Sequence, residues 1–100
     1  MANLAKALFR GAATTNTATV LYTVPASTST VITNIIVTNT STAGTFTLFL
    51  DGVAISSGTA IGANAIVTLD IKQVLATTKT ITGGASATSI NFHISGMEIA

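Results

Sequence analysis

Few side chains in this 100-residue chain could do chemistry, and their spacing keeps them apart. Histidine occurs once, at His93, inside Ser89-Ile90-Asn91-Phe92-His93-Ile94-Ser95. A general base needs a nucleophile and an orienting partner within hydrogen-bond reach. Strand alternation instead sets His93 beside Ser89, Asn91 and Ser95 on the outer side, where it reads as a solvent-facing or interface residue. Asp51 and Asp70 are the candidates for paired carboxylates. Asp51 precedes Gly52 between two apolar runs and so reads as a turn residue, while Asp70 stands two positions from Lys72 and reads as its outer-face neighbour. No His pair, Asp-x-Asp loop or Cys cluster offers metal ligands. Gly83-Gly84 lacks the lysine and helix of a phosphate-cradling loop, so no cofactor is implied. The eight serines fall in turns and outer faces, none in a nucleophile elbow. Thr-x-Thr pairs such as Thr28/Thr30 and Thr45/Thr47 suit an ice-binding rank, but their irregular spacing fits the wet face of an ordinary sheet better. A sugar platform would need exposed rings, and the chain has no Trp, one Tyr and four Phe. The residues read as those of a non-enzyme with no catalytic, cofactor or metal site.

The surrounding elements read as strands. Threonine is about a fifth of the chain, and with Val and Ile it gives a β-branched composition. Val20, Tyr22 and Val24 alternate up to Pro25, which removes a ladder donor and ends the strand. Val31–Asn39 continues as a long strand, with Val31, Thr33, Ile35 and Val37 expected on one side. Phe46–Leu50 runs into Asp51-Gly52 and resumes at Val53-Ala54-Ile55, the strongest local hairpin signal, since both turn positions want positive φ. Ser56–Asn64 reads as a turn region anchored by Ile61, and Ala65–Ile71 as a strand. Lys72–Leu75 reads as one helical turn, Lys79–Thr82 as a short strand and Gly83-Gly84 as a loop or bulge. Leu48, Val67, Leu69, Ile90, Phe92 and Ile94 are the expected core. The pattern predicts an all-β chain of seven to eight strands in a single antiparallel β-sandwich, jelly-roll or Ig-like. Residues 13–100 form that sandwich, and residues 1–12 are an N-terminal arm or edge strand.

Composition narrows the function further. Charged residues are 7% of the chain and the net charge is +1, against about 25% in average domains. No dense basic patch is present for nucleic acid, and none for an anionic membrane. No apolar run approaches a membrane span and no export signal is visible, so the chain reads as made in the cytoplasm. The absence of cysteine leaves it indifferent to redox compartment. Mean hydropathy is +0.68, which points to apolar surface placed against a partner.

Val20–Asn39, the hairpin Phe46–Ile55, Leu69–Leu75 and the ending Ile90–Ala100 together resemble small β-sandwich virion structural proteins of tailed bacteriophages. The similarity covers about four-fifths of the chain, from Val20 onward, in pattern more than in diagnostic residues. It implies a capsid decoration or cement protein that multimerises and stabilises the shell, located in the virion and docked on the major capsid protein or other virion proteins. The alternative is a tail- or fibre-associated adaptor or host-binding module. Strand edges with few charges suggest closed self-association, for which a homotrimer is expected. Leu4, Leu8, Phe9 and Arg10 are the expected interface residues.

Overall fold

The computed structural model describes residues 3–100 as nine strands, with no helix among them. They are β1 (Asn3–Ala12), β2 (Val20–Thr23), β3 (Ser29–Asn39), β4 (Gly44–Leu50), β5 (Val53–Ile61), β6 (Ile66–Leu69), β7 (Gln73–Leu75), β8 (Thr80–Ala85) and β9 (Ile90–Ile99). One sheet runs β1-β9-β3-β6, with β7 also paired to β3; the other runs β2-β8-β4-β5. All pairings are antiparallel. Because β6 and β7 lie along the same side of β3, they act as one strand broken at Asp70–Lys72. Counted so, the pairs nest: β1 with β9, β2 with β8, β3 with β6/β7, and β4 with β5. That is one long hairpin folded over on itself, the connectivity of a jelly roll.

The core lies between the two sheets. Phe46 on β4 and Phe92 on β9 meet edge to face at its centre, ring centroids 6.3 Å apart at 70°. Ile32, Ile35, Val37, Leu48, Ile81, Ile90 and Ile94 surround them, all fully buried. The expected core residues Val67 and Leu69 are only partly buried, because short β6 lies at the rim of its sheet. The Asp51-Gly52 turn has positive φ at both residues, 52° and 74°, and joins Leu50 directly to Val53. A two-residue turn of this handedness matches the twist of the strands it connects.

Several expectations give way to tertiary contacts. Lys72–Leu75 is not a helical turn: Gln73–Leu75 pairs with Thr30–Ile32, which seats Leu75 in the core at 2% exposure. Ser56–Ile61 is not a turn but the outer half of β5, with Ile61 buried as an anchor. Gly83 and Gly84 are not loop residues. They lie inside β8, where a Cβ on Gly83 would stand 2.4 Å from the Thr47 carbonyl oxygen and one on Gly84 2.5 Å from that of Asn16. Only glycine lets backbone come that close. Strict alternation along β3 also fails, since a register shift between Ile32 and Asn34 reverses the facing. Thr30 and Ile32 point inward before it, Ile35 and Val37 after it, and Val31 points out.

The first residues belong to the sandwich. Asn3–Ala12 forms the edge strand β1, in register with β9 from Asn3↔Ile99 to Ala12↔Asn91. Met1 and Ala2 lie outside the described residues.

Candidate functional site

Two features stand apart from the ordinary core: a polar cluster joining the sheets and an apolar row on an outer face. The cluster is built from residues far apart in sequence. Glu98, near the end of β9, lies between Leu4 of β1 and Thr30 of β3. Its carboxylate accepts a hydrogen bond from the Tyr22 hydroxyl on the opposite sheet and an ion pair from Lys6 Nζ at 3.4 Å. With its single proton given to Glu98, Tyr22 accepts from the Thr30 hydroxyl at 2.8 Å. Burial and then the bond to Glu98 raise the Tyr22 hydroxyl above the ordinary tyrosine range. The Tyr22 hydrogen bond, followed by Lys6, holds the Glu98 carboxyl below the usual carboxylate range. A deprotonated acid fixed by a protonated phenol and an ammonium is a tie between β1, β2, β3 and β9. It is configured as a clamp, its charge already answered by protein donors.

The apolar row emerges from register alone. Ala5 pairs with Met97, Met97 with Val31, and Val31 with Val74, so the four side chains cross β1, β9, β3 and β7 side by side. Their sequence neighbours Ile32, Leu75 and Gly96 are buried, which turns this row to the outer face. Val74 is 71% exposed. Ile36, Ile66 and Ile99 lie on the same face, and Ile66 and Ile99 are also exposed. Arg10 and His93 oppose each other there across β1 and β9.

The four residues expected to form an interface do not form one patch. Leu8 is a correction: it is 7% exposed and packs in the chain's own core, so it is not available to a partner. Phe9 packs partly against that core, next to a register shift between Ala7 and Phe9. Leu4 is 55% exposed, paired with Glu98 near the end of the sheet. Arg10 is exposed on the outer face. The register shift turns both Leu8 and Phe9 toward the core, and alternation then sends Arg10 to the outer face. The residues missed in sequence are Met97, Val31 and Val74. The β3 register shift hid Val31, since strict alternation assigned it to the side of Ile35 and Val37.

The former candidates for chemistry are dispersed. Asp70 pairs with Lys72 at 3.3 Å and Asp51 with Lys79 at 3.8 Å, all on the surface. On the outer face of the other sheet, an open depression of about 250 Å³ is lined by Thr17, Ala18, Phe49 and Thr82. No protein-family model matches the chain, and no curated protein matches it in sequence.

Proposed function

We propose that this chain is a non-enzymatic structural subunit of a virion of the tailed-bacteriophage kind, a capsid decoration or cement protein that stabilises the shell by docking on it. Jelly rolls serve as capsid proteins, lectins and cupins alike, so the fold by itself does not select among these roles. The observation that carries the reading is the apolar row Ala5–Met97–Val31–Val74 across the outer face of the five-stranded sheet. A sheet face of this kind is suited to packing against another protein, which excludes water from it. A cement subunit binds the assembled lattice and not its free parts, so each occupied site adds its binding free energy to the shell. The resemblance of Val20–Asn39 and Ile90–Ala100 to virion structural proteins supplies the setting, with the major capsid protein as the partner.

Quantifying the chain in purified particles of the phage encoding it tests the proposal. A decoration protein should be present at on the order of hundreds of copies, following the symmetry of the shell. About six or twelve copies would place it in the tail instead. Its absence from particles would end the virion reading.

A further inference from the structure

Resting on the docking reading above, we propose that Arg10 pairs with an aspartate or glutamate carboxylate of the shell protein, and that this pair fixes the direction in which the outer face of the five-stranded sheet docks. Six of the seven charged side chains already form ion pairs within the chain: Lys6–Glu98, Lys72–Asp70 and Lys79–Asp51. Among the described residues Arg10 alone has no carboxylate partner, so the formal net charge of +1 resides on it. Each carboxylate of the chain is held away from it. Glu98 stands five positions along β9 from His93, the residue opposite Arg10, so it is about 16 Å off and turned to the inner side. Asp70 lies at the far edge of the sheet, three strand spacings or about 14 Å across. Asp51 belongs to the hairpin turn of the other sheet.

Register sets this cation among the apolar residues of the face. Arg10, His93, Ile36 and Thr68 cross β1, β9, β3 and β6 side by side. The row Ala5–Met97–Val31–Val74 lies four positions along β9 in one direction, about 13 Å away. Two positions along in the other direction, exposed Ile66 is in register with Thr38 and Asn91. A shell protein lying across the full width of the sheet, from the Ala5 row to Ile66, covers Arg10 as well. Taking a charge out of water without a counter-charge is strongly unfavourable, and this chain has no carboxylate left to supply one. The partner supplies it.

The chemistry of the site selects a carboxylate. A guanidinium presents its N–H donors in a planar fork that meets both oxygens of a carboxylate with two parallel hydrogen bonds. Nucleic acid or an anionic membrane would call for several basic side chains together, whereas Lys6 and Lys72 are tied to Glu98 and Asp70. The pair also does what the apolar row cannot. Burial of aliphatic side chains is non-directional, so the row alone holds the sheet in more than one orientation. A cation about 13 Å to one side of the row removes that ambiguity, since only one orientation sets it against the shell's carboxylate.

Particles grown without the chain, with purified full-length protein added back, test the pair. Wild type should bind, Arg10→Gln should weaken binding by about tenfold or more, and Arg10→Glu should weaken it further. Arg10→Lys keeps the charge without the fork and should recover only part of the affinity. Lys79→Gln removes the same unit of charge beside the other sheet and should bind as wild type does. Arg10 is exposed, so its variants should keep the wild-type circular dichroism and melting temperature. Selection for particles that regain the Arg10→Glu chain should return shell proteins in which an acidic residue has become basic. Unchanged binding by Arg10→Gln would overturn the pair. Equal losses for Arg10→Gln and Lys79→Gln would also overturn it, since they would report attraction to net charge alone. Wild-type binding to duplex DNA that Arg10→Gln abolishes would assign the cation to phosphate instead. Any of these results leaves the virion reading standing wherever wild type still decorates particles, whereas a wild-type chain that binds no particle ends both.

Discussion

The two sheets share one core but finish their outer faces differently. On the four-stranded sheet, Thr45, Thr47 and Phe49 of β4 and Thr82 of β8 alternate outward from the core. The chain also folds its own β1–β2 loop over that side. Asn16 presses its carbonyl against Gly84, Thr14 and Thr19 share a hydrogen bond of 2.6 Å, and the Gly83 and Ala85 amides donate to Thr19 and Thr14. Nothing in the described chain does the same for the five-stranded sheet, whose outer row is aliphatic. Threonine and valine are both β-branched and serve a strand equally well. The outer face of the four-stranded sheet is thus largely threonine and loop-covered, with Val20 exposed beside Thr82, while an aliphatic row crosses the other face, where the proposed function has another protein pack.

Both sheets rest on one shared core, and removing its centre should have the largest effect. Phe92→Ala should cost about 3–5 kcal/mol in chemical denaturation and melt both sheets in one transition. Two separate transitions would mean that the faces belong to independent units. Next in size is Gly84→Val, which pushes a side chain into the Asn16 carbonyl and should cost about 1–3 kcal/mol. It disturbs only the loop-covered side, so circular dichroism should still report a folded sandwich.

Tyr22→Phe deprives Glu98 of its donor and should cost about 1–2 kcal/mol. Because the folded Glu98 pKa is depressed, its stabilisation is present above the unfolded carboxylate value and is lost as pH falls through the folded one. Melting temperature against pH should therefore show an acid limb that moves upward in Tyr22→Phe. An unchanged limb would mean that other carboxylates set it. The smallest effects should come from swapping the two finishes. Val74→Thr and Thr82→Val should each change stability by no more than about 0.5 kcal/mol. Binding to particles, on the proposed decoration role, should nevertheless separate them, with the first weakening it and the second leaving it unchanged.

What sequence made legible was local. Asp51-Gly52 announced the hairpin, and Ile90, Phe92 and Ile94 announced the inner face of β9, because turn chemistry and strand alternation act over a few residues. The rest depended on distant partners. Lys72–Leu75 carries no mark of the β3 edge that straightens it, and Gly83-Gly84 no mark of the Thr47 and Asn16 carbonyls that exclude a side chain. The one-residue shift at Thr33 reassigns Val31 to the opposite side of the sheet. Tyr22 and Glu98 are 76 residues apart, so no spacing rule connects them. Of the two readings of residues 1–12, Asn3–Ala12 takes the edge strand, and the two faces of that strand separate buried Leu8 from Arg10.

The nesting of the strands also sets the order in which the molecule can be made. Strand β1 finds its whole ladder on β9, about eighty residues later in the chain. During synthesis it must wait unpaired while β4 and β5 close their hairpin first, and its Leu8 has no core to enter until β9 arrives. Closure is therefore late and collective, the slow regime of folding dominated by non-local pairing. A ribosome stalled before Ile90 would hold a chain with exposed strand edges and no finished sandwich. Lys6 and Arg10, sparse as they are, stand on the strand that waits longest.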